Sequence, residues 1–333
     1  MTSARALTGC LTGTAVGDAL GLPYENLSPR RRRRMFPDPD QYHFLFGRGM
    51  FSDDTEHACM TAQALLVSGG DPERFARSLA WRLKWWLLGC PAGTGRATLK
   101  ACLKLWVGVP PHRSGVFSAG NGPCMRAPIL GVAHGHEPDR LRDLARRSTR
   151  VTHTDPKAEH AALAVALAAH LSATEAALPP NEAAERIVAG LDSTAGELTG
   201  LIRRAAAAAD RETDAFAADL NLDRGVTGYV YHTVPVVVHA WLRHRDDFRS
   251  AVLAVIRCGG DTDSTAAIVG GIVGARVGVE GIPEPWRAGL CEWPRNLNWI
   301  DRLGRELADG LSEDAPRNAI PANPSGVLAR NLV

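Results

Sequence analysis

An all-α fold is predicted by three features of this 333-residue chain. Its apolar residues recur at intervals of three and four over most of its length, the spacing that lines one face of an α-helix. No segment shows the convincing apolar/polar alternation that marks a half-buried strand. Ala- and Leu-rich segments are separated by Gly/Pro turns, and their small side chains let neighbouring helices approach closely, which points to a helix bundle.

In chain order, helices are expected over residues 5–20, 54–67, 72–88, 98–107, 138–149, 156–171, 182–189, 198–210, 228–243, 246–256 and 264–277. Asp155 followed by Pro156 is an N-cap with proline at the first helical position, so the helix over 156–171 has a defined start. Trp81, Trp85 and Trp86 are spaced as packing residues on the helix over 72–88. No internal repeat appears at periods of 20–50 residues. Composition changes after Leu311, where "SEDAPRNAIPANPSGVLARNLV" turns Pro/Asn-rich. We therefore expect one domain over 1–311 and a tail over 312–333.

A hydrophobic content of 45% supplies a large core. The 38 Lys and Arg against 36 Asp and Glu leave a net charge of +2, so no global basic field marks a nucleic-acid binder. The seven cysteines are scattered and never form C-x-x-C pairs, which reads as reduced thiols in a cytoplasmic protein. No uninterrupted apolar run approaches the roughly 18 residues of a membrane span. Leu7 to Cys10 lie too near the start to follow a signal-peptide apolar region, and are read as part of the first helix.

Two acidic helix mouths carry the chemistry. "FSDDTEHACMTAQALLV" offers Ser52, Asp53, Asp54 and Thr55, and "RCGGDTDSTAAIVGGIVGA" repeats the grammar with Asp261, Asp263 and Ser264. A helix start needs one capping side chain, whereas paired carboxylates repel unless a cation intervenes or one stays protonated. Carboxylate and hydroxyl oxygens are hard ligands suited to Mg²⁺, Mn²⁺ or Ca²⁺, without the Cys/His pattern of structural zinc. If the fold joins the two mouths, the site holds two metals. Asp18, inside an apolar helix, is expected to hydrogen-bond a loop of the site.

Six ordered blocks, "GTAVGDALGLPYEN", "FSDDTEHA", "GNGPCMRAPILG", "THTDPKA", "TGYVYHTVP" and "GGDTDSTAAIVGGIVGA", resemble those of the ADP-ribosylglycohydrolases. The resemblance runs over about residues 5–280 and implies a compact orthogonal all-α bundle that hydrolyses an ADP-ribosyl bond with two Mg²⁺ or Mn²⁺ ions, typically the N-glycosidic bond to arginine. It places the metal ligands on Ser52, Asp53, Asp54, Asp261, Asp263 and Ser264. Both hydroxyl ligands are serine here, lacking the methyl that stiffens a threonine χ1.

The same resemblance puts Glu25 near the scissile bond, positioning or activating water, with Asp54 and Asp263 able to share that duty. It puts Gly93, Gly95 and Thr98 of "CPAGTGRATLK" at the diphosphate, where a glycine-rich loop entering a helix offers free N–H groups. Asn121, Gly122 and Met125 fall beside the ribose or diphosphate, although Pro123 removes one backbone donor. His153 falls near the substrate and Tyr229 at the adenine-stacking position.

The implied partner is an ADP-ribosylated protein or an ADP-ribose conjugate. The run Arg30 to Arg34 reads as a solvated face, with a grip on an acidic or nucleic-acid-linked substrate the less favoured reading. Other ADP-ribose linkages (serine, O-acetyl-ADP-ribose, nucleic acid), another phosphorylated nucleoside, and a non-catalytic ADP-ribose binder stay as alternatives.

Overall fold

A computed structural model describes residues 3–89, 91, 93–291 and 295–311. The tail read over 312–333 and Cys90 lie outside the described residues. In chain order the helices are α1 (Ala4–Gly21), α2 (Pro29–Met35), α3 (Asp53–Ser68), α4 (Pro72–Trp86), α5 (Arg96–Trp106), α6 (Pro111–Ser114), α7 (Pro128–His134), α8 (Pro138–Thr152), α9 (Pro156–Thr174), α10 (Pro180–Gly190), α11 (Gly196–Ala207), α12 (Thr213–Asp219), α13 (Val230–Arg243), α14 (Phe248–Cys258), α15 (Thr262–Val277), α16 (Glu284–Gly289) and α17 (Leu297–Gly310). Among the described residues extended pairing is limited to isolated bridges, so the fold is all-α as expected.

The centre of the bundle is the antiparallel pair α1 and α15, buried along nearly their whole lengths. Gly9, Gly13, Gly17 and Gly21 recur every fourth residue on α1 and face α15. A Cβ on Gly13 would lie 2.2 Å from the Gly270 carbonyl oxygen, and one on Gly17 would lie 2.1 Å from that of Ala266. Only hydrogen fits there, so the small residues set the distance between backbones. This contact carries the C-terminal end of α1, and the Glu25 segment after it, to the N-terminus of α15, where the Thr262 hydroxyl donates to the Gly21 carbonyl at 2.8 Å.

Local signals set the other helix starts. Asp71 accepts from Arg74 N at 2.7 Å at the start of α4. Asp155 accepts from Lys157 N at 2.9 Å at the start of α9, the capping role read from the sequence. The tryptophans of α4 pack as expected: Trp85 meets Trp106 edge-on at 5.0 Å, and buried Trp86 meets His57 at 4.7 Å.

The arginine run, read as a solvated face, forms the short helix α2. Arg30, Arg31 and Arg34 are exposed on it, while Arg32 turns inward and donates to the carbonyls of Ile256 and Arg257 at 2.9 and 3.1 Å. Helices α2, α6, α7, α12, α16 and α17 were not expected from the sequence. Five of the six have seven residues or fewer, too few for a periodic pattern.

Candidate active site

The two acidic mouths converge. Ser264 at the start of α15 donates through Oγ to Asp54 Oδ2 of α3 at 3.2 Å, and Ser52 Oγ donates to the same oxygen at 3.1 Å. The other carboxylate oxygen of Asp54 is buried without a hydrogen-bond partner. Beneath them lies Asp18, fully buried, which accepts from Ser52 N at 3.0 and 2.9 Å, Thr55 N at 3.0 Å and Thr55 Oγ1 at 2.6 Å. Asp18 thus clamps the first turn of α3 to α1, the loop-holding role expected of it.

On the opposite wall, Glu25, Asp261 and Asp263 each place one carboxylate oxygen within 4.8 Å of the others. Asp261 stands at the N-cap position of α15 but makes no capping hydrogen bond with its side chain. It instead accepts from Asn121 Nδ2 at 2.6 Å, and Asn121 also donates to Thr233 Oγ1 at 3.2 Å. Asn26 Nδ2 donates to Glu25 Oε1 at 2.9 Å, while its backbone N–H donates to the Gly260 carbonyl at 2.7 Å.

Crowding shows in the acidities. Burial, then the charge of Asp18, pushes Asp53 up to about 7. Asp54 is held well above the usual carboxylate range by burial and then by Asp18 and Asp263. Asp263 is held likewise by burial, then Asp261 and Glu25, and Glu25 is raised by burial and then Asp261. Carboxylates this close cannot all ionise unless cations neutralise them. The donor set is oxygen only, and Asp54 offers a buried lone oxygen with nothing bonded to it, so these residues fit hard divalent cations.

Seventeen residues line a cavity of about 260 Å³ at this point. Of the site residues expected from the sequence, Glu25, Asp53, Asp54, Asp261, Asp263 and Ser264 line it. Gly93, Gly95, Thr98, Asn121, Gly122, Met125 and His153 line it as well. Gly93 has φ +83°, a conformation that favours glycine, and a Cβ there would press on Asp53 Oδ1 at 2.8 Å. Gly95 precedes α5 without a side-chain cap, which leaves the first N–H groups of that helix for a ligand.

Two expected residues are not in the lining. Ser52 stands behind Asp54 and accepts from its N–H at 3.3 Å as the cap of α3. Tyr229 bridges to Gly120 through its backbone, and its hydroxyl accepts from Lys157 Nζ at 2.9 Å. The sequence reading missed Arg96, Ala97, Ser118 and Gly120, which complete the lining. Arg96 opens the helix after the glycine-rich loop, and that position was the signal for it.

The fold is thus an all-α bundle with an acidic cleft beside a helix N-terminus, and comparison with known proteins identifies its family. Residues 2–317 match the family model described as ADP-ribosylglycohydrolase, and the chain belongs to that family. An uncharacterized protein of Archaeoglobus fulgidus is 32% identical over 304 residues, spanning 90% of this chain and 94% of its own. The ADP-ribosyl-dinitrogen reductase glycohydrolase of Rhodospirillum rubrum is 25% identical over 86% of this chain and 90% of its own. The ADP-ribosylarginine hydrolase of Pseudomonas putida is 25% identical over 93% of this chain and 78% of its own. A solved structure of an ADP-ribosylglycohydrolase-related protein complex shares the fold, with a TM-score of 0.65 at 24% identity over 94% of this chain and 100% of that one.

Proposed function

We propose that this chain removes ADP-ribose from a modified protein by cleaving the N-glycosidic bond to arginine, with two Mg²⁺ or Mn²⁺ ions held by Ser52, Asp53, Asp54, Asp261, Asp263 and Ser264. The carrying observation is the Ser264–Asp54 hydrogen bond, which joins the two acidic mouths across one cleft. Ser52 serves first as a helix cap, so its share in ligation requires its hydroxyl to turn from Asp54. The arginine linkage is supported by the relative of Pseudomonas putida, whose name specifies that bond.

Bound cations supply positive charge that orients ribose hydroxyls and makes water more acidic. Glu25 stands over the same cleft with Oε1 held by Asn26. In that position it takes a proton from water as the oxygen attacks the anomeric carbon and the arginine leaves with the bonding pair. Asp54 and Asp263 are carboxylates near enough to share this duty. Asn121 holds Asp261 in place, and Thr98, Gly93, Gly95, Gly122, Met125 and His153 form the wall that receives ADP-ribose. Tyr229, from behind Gly120, flanks the adenine end.

Residues 1–311 act as one catalytic domain, since α17 packs on α1 and α3 beside the central pair. The free buried cysteines Cys10, Cys59, Cys102, Cys124 and Cys258 fit a reducing cytoplasm. Among the described residues no helix is long and apolar enough to cross a membrane. The test is release of ADP-ribose from ADP-ribosyl-arginine, ADP-ribosyl-serine, ADP-ribosylated nucleic acid and O-acetyl-ADP-ribose, with and without Mg²⁺. Metal-dependent release from the arginine conjugate is expected. Release from another conjugate alone would reassign the linkage, and release from none, with ADP-ribose still bound, would mark a binding protein.

A further inference from the structure

Arg126 is completely buried, and its five side-chain hydrogen bonds all go to neutral groups. It donates to Ser148 Oγ at 3.0 Å, Ser148 O at 2.8 Å, Gly122 O at 3.2 Å, His57 Nδ1 at 3.2 Å and Thr152 Oγ1 at 2.7 Å. A guanidinium only donates, so the lone pair of Thr152 Oγ1 receives a proton from it and the threonine hydroxyl must spend its own proton elsewhere. Two acceptors are in reach. His153 Nδ1 is at 2.9 Å and the Thr149 carbonyl at 3.4 Å, so the shorter bond runs to the histidine.

That bond decides the ring. An Nδ1 that accepts carries no proton, which leaves the proton of a neutral imidazole on Nε2. Nε2 is the edge turned to the cleft: a Cβ on Gly120 would lie 3.1 Å from it, and one on Gly122 would lie 3.1 Å from the adjoining Cε1. Both neighbours are glycines, so no side chain of theirs stands between this edge and the cavity that all three residues line. Burial, then the charge of Arg126, holds the ring down to about 3, so it is neutral throughout the working range of pH.

We infer that Arg126, acting through Thr152, fixes His153 as the Nε2–H tautomer and makes it an obligate hydrogen-bond donor to a ligand oxygen in the cleft. This deepens the proposed function, and rests on it for the ligand's identity. Arg126 and Thr152 are positioning residues, and His153 neither gives nor takes a proton during the reaction. The device is selective, because a ligand presenting a donor at this point would leave Nε2–H unpaired in a buried wall.

Long-range ¹H–¹⁵N spectra of the full chain labelled at histidine test it without substrate, and calorimetry with ADP-ribose tests it with substrate. The wild type should show His153 as Nε2–H with Nδ1 carrying the shift of an accepted hydrogen bond. Thr152→Val removes both halves of the relay, so the Nδ1 signal should move and ADP-ribose affinity should fall by about tenfold, the scale of one lost hydrogen bond. Thr152→Ser keeps the hydroxyl and should restore both. An Nδ1–H tautomer in the wild type would overturn the inference, as would Thr152→Val with wild-type spectrum and affinity. An Nε2–H ring that moves in Thr152→Val, in a protein that binds no ADP-ribose, would support the relay while removing the proposed function.

Discussion

Ser264 and Asp54, separated by 210 positions in the chain, share a hydrogen bond of 3.2 Å at the floor of one cleft. The bond exists because α1 and α15 meet backbone to backbone, and because Asp18 on α1 ties down the first turn of α3. Packing and chemistry are therefore linked through α1.

Gly13→Leu should show this link. Its Cβ would fall 2.2 Å from the Gly270 carbonyl, a backbone atom that cannot move aside without separating the helices. Overpacking of this kind costs about 3 kcal/mol. Urea unfolding should show that loss, and wild-type stability in the variant would mean that the helices are not held at this distance.

Metal should stabilise the fold, since a ligand that binds only the folded state shifts the equilibrium toward it. Mg²⁺ or Mn²⁺ is expected to raise Tm by several degrees at saturating concentration, on the order of a few kcal/mol. Asp261→Asn keeps an oxygen for Asn121 but removes charge, so its metal-dependent rise should be smaller. An unchanged rise would remove Asp261 from the ligand set.

The helices were legible where periodicity had length to show itself, as in α1, α3, α9 and α15. Helix α2 was not, because five arginines carry no apolar period. Its docking depends on Arg32 meeting the carbonyls of Ile256 and Arg257, a contact made across the fold. At the site, the acidic pairs were legible because they exceed what a cap needs, and Asp261 indeed does not cap. What could not be read was which residue stands in front of which. Asn121 braces Asp261 and Tyr229 pairs with Gly120, both through contacts distant in sequence, and Ser264 reaches Asp54 across 210 positions.

Glu25→Gln separates chemistry from binding. It keeps size and an oxygen for Asn26 while losing basicity, so turnover should fall by roughly 10²-fold or more with ADP-ribose binding intact. Asp263→Asn should weaken turnover and metal-dependent binding together. Wild-type turnover in Glu25→Gln would transfer the proton to one of the aspartates.

Acid should destabilise the protein through His153. Its folded pKa, about 3, lies below the ordinary histidine value of 6.5, so between these values the unfolded chain binds a proton that the folded chain refuses. The histidine's contribution is therefore complete above pH 6.5 and is lost progressively as pH falls toward 3, by up to about 1.4 kcal/mol per pH unit. His153→Gln removes that proton from the balance. The difference in unfolding free energy between variant and wild type, followed from pH 7.5 to 5, should change by about that slope, and a pH-independent difference would show that His153 titrates normally.

The central claim is that the two acidic mouths form one metal centre. Anomalous diffraction from crystals soaked in Mn²⁺ tests it most directly. Two peaks about 3.5–4 Å apart, enclosed by Asp53 and Asp54 on one side and Asp261 and Asp263 on the other, are predicted. An empty cleft at saturating Mn²⁺, or peaks touching only one of the two mouths, would contradict it.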